Sequence, residues 1–243
     1  MIKFFRKIRY DLMEKNKTGK YFKYAIGEIV LVVIGILIAL SINNWNEERK
    51  NILNESQLVK NIVEDLRLDS EHINQSLNEL TNQLYIIDHL IAKVLNSENE
   101  LNYDSTELVR YSSDFRPITQ QNHAESVSNL KNESNRELLQ NYFLMEDRVS
   151  DIFLEYEDII HNQIRPYLRD VGMHNLKSLY EAQPGKLPLN FLKPQILDQH
   201  LGNIKFQQLL FERRLKTESF KTSLTELNIE NMELINILNK NSK

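Results

Sequence analysis

The stretch "KYAIGEIVLVVIGILIALSINNWNEE", residues 23–48, constrains this chain more than any other feature. Between residues 25 and 44 the only charged side chain is Glu28. A helix of about 20 residues rises about 30 Å, the thickness of a bilayer's hydrocarbon core. Residues 29–40 are apolar on every helical face, unlike a surface helix with one polar side. The run predicts a transmembrane helix over residues 24–45. Trp45 falls where an interfacial aromatic anchor sits. Glu28 lies one turn in, at the headgroup boundary, where the helix N-terminal dipole and basic neighbours favour a carboxylate. A polar contact to a partner helix, or a proton-linked site, is the sharper alternative for it. Gly35 and Ala39 form a small-xxx-small pair that permits close helix approach.

Charge gives the run a direction. Eight Lys/Arg precede residue 45 against Asp11, Glu14 and Glu28, a net of +5; the remainder has 22 basic and 31 acidic residues, a net of −9. The positive-inside rule then puts the N-terminus in the cytoplasm and residues 46–243 across the membrane. The expected address is the inner membrane, with the large C-terminal part periplasmic. "MIKFFRKIRYDLM" opens a basic amphipathic arm, residues 1–23, suited to an anionic lipid surface. The acidic remainder gives no reason to bind nucleic acid. A cleaved signal peptide is the rival, since Ala39-Leu40-Ser41 fits a small-x-small site. The basic region and the apolar run are both long for that reading, and either reading exports the C-terminal part.

The segment "KTGKYFKYAIGEIVLVVIGILIALSINNWNEE", residues 17–48, preceded by "MIKFFRKIR", resembles the start of a family of membrane proteins from Bacteroidetes-type bacteria. That family carries only a domain-of-unknown-function label. "NLKNESNRELLQNYF", residues 129–143, resembles the family's middle segment loosely. Family members often carry Gln where this chain has Ser41, which spoils a cleavage site and favours an anchor. The resemblance implies a topology and supplies no activity, cofactor or catalytic residue.

Beyond Trp45 the pattern is helical. With 6 Gly and 5 Pro in 243 residues, few punctuators interrupt it. Val59, Ile62, Leu66, Ile73, Leu77, Leu80, Leu84, Ile87, Ile91 and Val94 recur at three- and four-residue steps. Asp69 and Ser70 interrupt that seam. Residues 96–107 read as a loop or restart. Residues 112–123, with Pro117, read as an irregular connection, and short helices follow over 124–145. A second long helix is expected from Glu146, through Val149, Ile152, Tyr156, Ile159, Ile160, Ile164 and Tyr167, with Pro166 kinking or breaking it. Residues 181–195 hold three prolines and read as a linker. A last helix, from about Gln199 or Gly202, carries Phe220, Leu224, Leu227, Asn231, Leu234 and Leu238. The expected fold is all-α: one transmembrane helix, then an exported antiparallel helical bundle over 46–243 with long coiled-coil-like helices.

Chemistry is sparse. The chain has no cysteine, which excludes thiolate catalysis, disulfides and cysteine metal sites. It carries no G-x-S-x-G, P-loop, G-x-G-x-x-G or H-E-x-x-H. The best metal candidate is "EYEDIIH", which sets Glu157 and Asp158 one turn before His161, but the carboxylate-x-x-His motif of di-iron bundles occurs twice and this one does not. No catalytic residue, metal ligand or cofactor is expected. The expected role is a membrane-anchored interaction or scaffold protein, held by the bilayer and binding itself or an unidentified protein. The alternative is a single-span sensory or ligand-binding bundle that signals through a cytoplasmic partner, and a metal-binding helical enzyme is the remote alternative. A parallel homo-oligomer is expected from the length of the 59–94 seam and from Gly35 and Ala39.

Overall fold

The structure is a computed structural model that describes residue 10 and residues 18–95, 105–182 and 191–241. Most of the N-terminal arm, most of the restart at 96–107 and the centre of the linker at 181–195 lie outside the described residues. Those described are all-α, with one isolated bridge between His174 and Leu192. The order is α1 (Thr18–Val94), a 3₁₀ turn (Thr106–Arg110), α2 (Ile118–Ser128), α3 (Glu133–Asp158), a π-helical segment (Ile159–Ile164), α4 (Arg165–Asp170), α5 (Leu176–Glu181), α6 (Pro194–Leu201) and α7 (Ile204–Asn241).

The chain forms two compact units, Met1–Gln57 and Leu58–Lys243. In the first, α1 carries a window of mean hydropathy 2.8 with none of its residues buried, long and apolar enough to cross a membrane. Val30, Leu31, Ile34, Leu37 and Leu40 all expose large apolar side chains. An apolar surface of this extent in water is a liability, which is why such a helix seeks lipid or a partner.

The second unit has one hydrophobic core. Val59, Ile62, Leu66, Ile73, Leu80, Leu84 and Ile87 are buried, and Leu77, Ile91 and Val94 pack partly buried against the same cluster. Most of the seam is therefore covered by the chain itself, and its length alone does not call for a second copy. On α7 the expected Phe220, Leu224, Leu227, Asn231, Leu234 and Leu238 are all buried.

Helix directions follow from paired side chains. Tyr142 of α3 meets Asn231 of α7, and Glu155 meets Lys216, so α3 and α7 run in opposite senses. Ser70 of α1 meets Asn228, and Gln83 meets Arg213, so α7 also runs against residues 58–94 of α1. Residues 58–94 and α3 run in the same sense, since Asp69 lies near Glu146 and Gln83 bonds Tyr156. Residues 95–132 separate α1 from α3, enough chain for a crossover between parallel helices.

Three element boundaries differ from expectation. α2 starts at Ile118, directly after Pro117, not at residue 124. Pro117 ends the extended segment and stands at the N-cap, where its missing N–H costs nothing. α3 starts at Glu133, where the Asn132 side chain accepts from Asn135 N at 3.0 Å, so Glu146 is mid-helix and not a helix start. Pro166 does not break the helical run. The π-helical segment Ile159–Ile164 precedes it, and the wider turn absorbs the lost i→i−4 bond. The run stops instead at Gly172, whose φ of 68° suits a residue without Cβ. There Met173 N bonds Leu168 O at 2.9 Å and Gly172 N bonds Arg169 O at 3.0 Å, a Schellman closure.

Candidate functional site

Polar side chains at core positions set the chemistry of the second unit. The segment 105–117 carries little regular structure, yet Val109, Ser113 and Phe115 are buried. Buried backbone needs partners, and the long helices supply them. Arg213, fully buried on α7, donates from Nη2 to Tyr111 O at 2.9 Å and to Gln83 Oε1 at 2.6 Å. Its Nη1 donates to Thr217 Oγ1 at 2.7 Å, and its Nε reaches Val109 O at 3.4 Å. The guanidinium sits 4.7 Å above the Tyr156 ring. Burial pulls the Arg213 pKa down, and Tyr156 counters it. Tyr156 Oη in turn accepts from Ser113 N and donates to Gln83 Oε1, both at 2.8 Å. Ser76 Oγ donates to Asp114 O at 2.7 Å.

Asp69 works at the other end of this segment. Its Oδ1 accepts from Ile118 N at 2.9 Å, and its Oδ2 accepts from Thr119 N at 3.0 Å and Thr119 Oγ1 at 2.5 Å. These are the free N–H groups at the start of α2. Asp69 caps α2 from a different helix, because Pro117 has no side-chain acceptor to do so. The charge that interrupts the seam in the sequence is a built part of the core.

Glu146 faces the same corner. It is fully buried, and neither Oε has a hydrogen-bond partner in good geometry. The Tyr142 hydroxyl and the Gln120 backbone lie close enough to offset part of the cost. Burial, then the Asp69 charge, push the Glu146 carboxyl up to about 8. Burial also pushes Tyr142 up, so it stays protonated while its oxygen accepts from Asn231 Nδ2 at 2.8 Å. Beside Glu146 and Asp69 opens a cavity of about 310 Å³, walled by Ile73, Phe115, Pro117 and Ile118.

The sequence candidates fall elsewhere. Glu28 is half-buried on α1, and Trp45 is exposed. A Cβ added at Gly35 would meet nothing within 4 Å, so no contact within the described chain requires a glycine there. Ala39 is exposed on the same helix. At the metal candidate, His161 Nε2 stands 3.7 Å from Glu157 while its Nδ1 faces Arg165 Nη1 at 3.0 Å. Asp158 binds Asn162 Nδ2 at 2.7 Å instead of joining them. Among the described residues no group of three or more His, Asp or Glu is placed to hold a metal. Asp69, Glu146 and Arg213 were missed as site residues, although the sequence carried a signal. Leu139, Tyr142, Glu146 and Val149 follow a 3-4-3 step, as do Phe206, Leu210, Arg213 and Thr217 with steps of four, three and four.

A family described as "Family of unknown function (DUF6090)" matches residues 28–112. The match begins inside the apolar run, extends well past the 48 residues on which the resemblance rests, and ends before residues 129–143. No curated protein and no solved structure matches this chain.

Proposed function

We propose that this chain is a membrane-anchored helical interaction protein. Residues 24–45 cross the inner membrane, the N-terminus stays in the cytoplasm, and residues 46–243 act as a periplasmic binding module and not as a catalyst. The observation that carries the reading is the contrast within one chain. The apolar run of the first unit is wholly uncovered, while the second unit buries its own seam. The basic excess before the run supports the orientation. Self-association through Gly35 and Ala39 inside the membrane belongs to the same proposal, because both are open in the single chain.

Reporter fusions test the orientation. A reporter active only outside the cytoplasm should work when fused after Lys243 and fail when fused before Met1. A C-terminal tag reached by protease only from the cytoplasmic side would overturn the topology. Single cysteines introduced on this cysteine-free chain at Gly35 and Ala39 test self-association. Crosslinks there, absent at Val33 and Leu37 on the opposite face, are the expected result. Crosslinking in the second unit to another protein would identify the partner.

A further inference from the structure

We propose that the cavity beside Glu146 binds a small organic cation: a protonated amine on a short apolar body. The ammonium would meet Glu146, and the carbon skeleton would lie on Ile73, Phe115 and Ile118. All of these residues lie in the Leu58–Lys243 unit, so the inference stands apart from the membrane reading.

Size sets the first limit. A cavity of about 310 Å³ sits at the small end of ligand sites. Ile73, Phe115, Pro117 and Ile118 give it an apolar floor, and polar side chains supply the rest of the lining.

Sign sets the second. Asp69, Glu79, Asp114 and Glu146 line the cavity against one fixed cation, Arg116; the imidazole of His72 also lines it. The Arg116 side chain is 83% exposed and pairs with Asp114 at 3.1 Å, so it does not compensate Glu146. The charged and titratable groups bearing on Glu146 are Asp69 from α1, and Tyr142 and Asp147 from its own helix. None of them is a cation.

Free lone pairs set the third. Asp69 has both oxygens committed to the start of α2. Among the described buried side chains that line the cavity, Glu146 is the one whose acceptors no protein donor holds in good geometry. Asp69 is committed to the start of α2, Glu79 accepts from Gln75 and Asp114 pairs with Arg116, so the corner lacks the several uncommitted hard ligands that a metal needs. It suits a monovalent ammonium, which needs one close counter-charge in a low-dielectric setting and apolar surface for the rest. An ammonium pairs with the carboxylate once its proton has left, which a neutral ligand cannot do.

The test uses the full chain in nanodiscs of zwitterionic lipid. Benzylammonium and n-butylammonium are titrated by calorimetry at mildly alkaline pH, with benzyl alcohol as the uncharged isostere of the first. Thermal unfolding is followed in parallel by circular dichroism. The amines should bind one to one and raise the unfolding temperature, and the alcohol should do neither. Glu146→Gln should weaken amine binding roughly ten- to hundredfold, the loss of one buried charge-assisted contact. Glu133→Gln, exposed at the start of α3 and outside the cavity, should change it by less than about threefold. Equal responses to benzylammonium and benzyl alcohol would overturn the proposal, as would absence of binding by both amines. Undiminished binding by folded Glu146→Gln would overturn it too. The comparison of amine with alcohol needs no variant, so a misfolded substitution would not shield the idea.

Discussion

Glu146 makes the stability of the second unit depend on pH in a direction opposite to most carboxylates. Its folded pKa is raised from 4.5 to about 8, with burial as the main cause. Between those values the folded chain keeps a proton that the unfolded chain has released. Stability from this group is therefore complete below the unfolded pKa and is lost as pH rises through about 8. At 1.36 kcal/mol per pH unit, the gap sets a ceiling of about 5 kcal/mol. Local relaxation will lower that ceiling, and about 2–4 kcal/mol is the expected loss. The perturbation is Glu146→Gln, which keeps the shape and removes the titration. Urea unfolding of the full chain in mild detergent, followed by helicity, should show parent and variant within about 1 kcal/mol of each other at mildly acidic pH. The variant should then gain on the parent steadily until alkaline pH. Histidines titrate in both proteins, so they cancel in the difference. A difference that stays constant with pH, or that favours the parent as pH rises, would refute the assignment of Glu146 as a buried, proton-holding acid.

Three further outcomes follow from the core. Arg213→Met strands Tyr111 O and the more distant Val109 O, while Gln83 keeps Tyr156; a loss of about 2–4 kcal/mol in urea unfolding is expected. Arg213→Lys should do no better, since a single ammonium cannot span those acceptors. Asp69→Ala removes three hydrogen bonds at the start of α2. It should cost about 2–4 kcal/mol and speed amide exchange at Ile118 and Thr119 before the rest of the unit. Leu80→Ala, at a fully buried seam position, should cost about 2–5 kcal/mol. Its unfolding midpoint should not change with protein concentration, because the seam is covered within one chain.

What the sequence made legible was apolar spacing. The seams of α1 and α7 and the run at residues 25–44 are periodic or uniform, and a period survives without knowledge of the partner. Boundaries set by distant groups were not legible. α2 begins at Ile118 because its cap comes from Asp69, some fifty residues earlier and on another helix. Local reading of Pro117 sees only a breaker and delays the helix to residue 124. Pro166 is the same kind of case. Its effect depends on whether the preceding turn can widen, and the adjacent buried Ile159 and Ile160 are the trace of that widening in the sequence. Glu146 and Arg213 were passed over for a different reason. Each sits in step with apolar neighbours, but a lone charge on a seam has no meaning until its partner, or its lack of one, is known.

The buried polar side chains of the long helices have a common task, and that task isolates Glu146. Arg213, Gln83, Tyr156, Ser76 and Asp69 all bond the segment 109–119, either its backbone or its side chains. A crossover laid through a core must have its N–H and C=O groups satisfied from outside itself. Hydrophobic residues at those five positions would leave it unsatisfied, so the polar seam follows from running α1 and α3 in the same sense. Asn228 and Asn231 lie farther along α7 and bond Asn74 and Tyr142. Glu146 alone in this group satisfies nothing in good geometry. A leucine at that position would fill the corner at no electrostatic cost, as Leu139 and Val149 do on the same face. The crossover accounts for those five polar residues, interhelical bonds account for the two asparagines, and this acid, beside a cavity, is left without a structural reason. That residue is accordingly the place to look for a ligand.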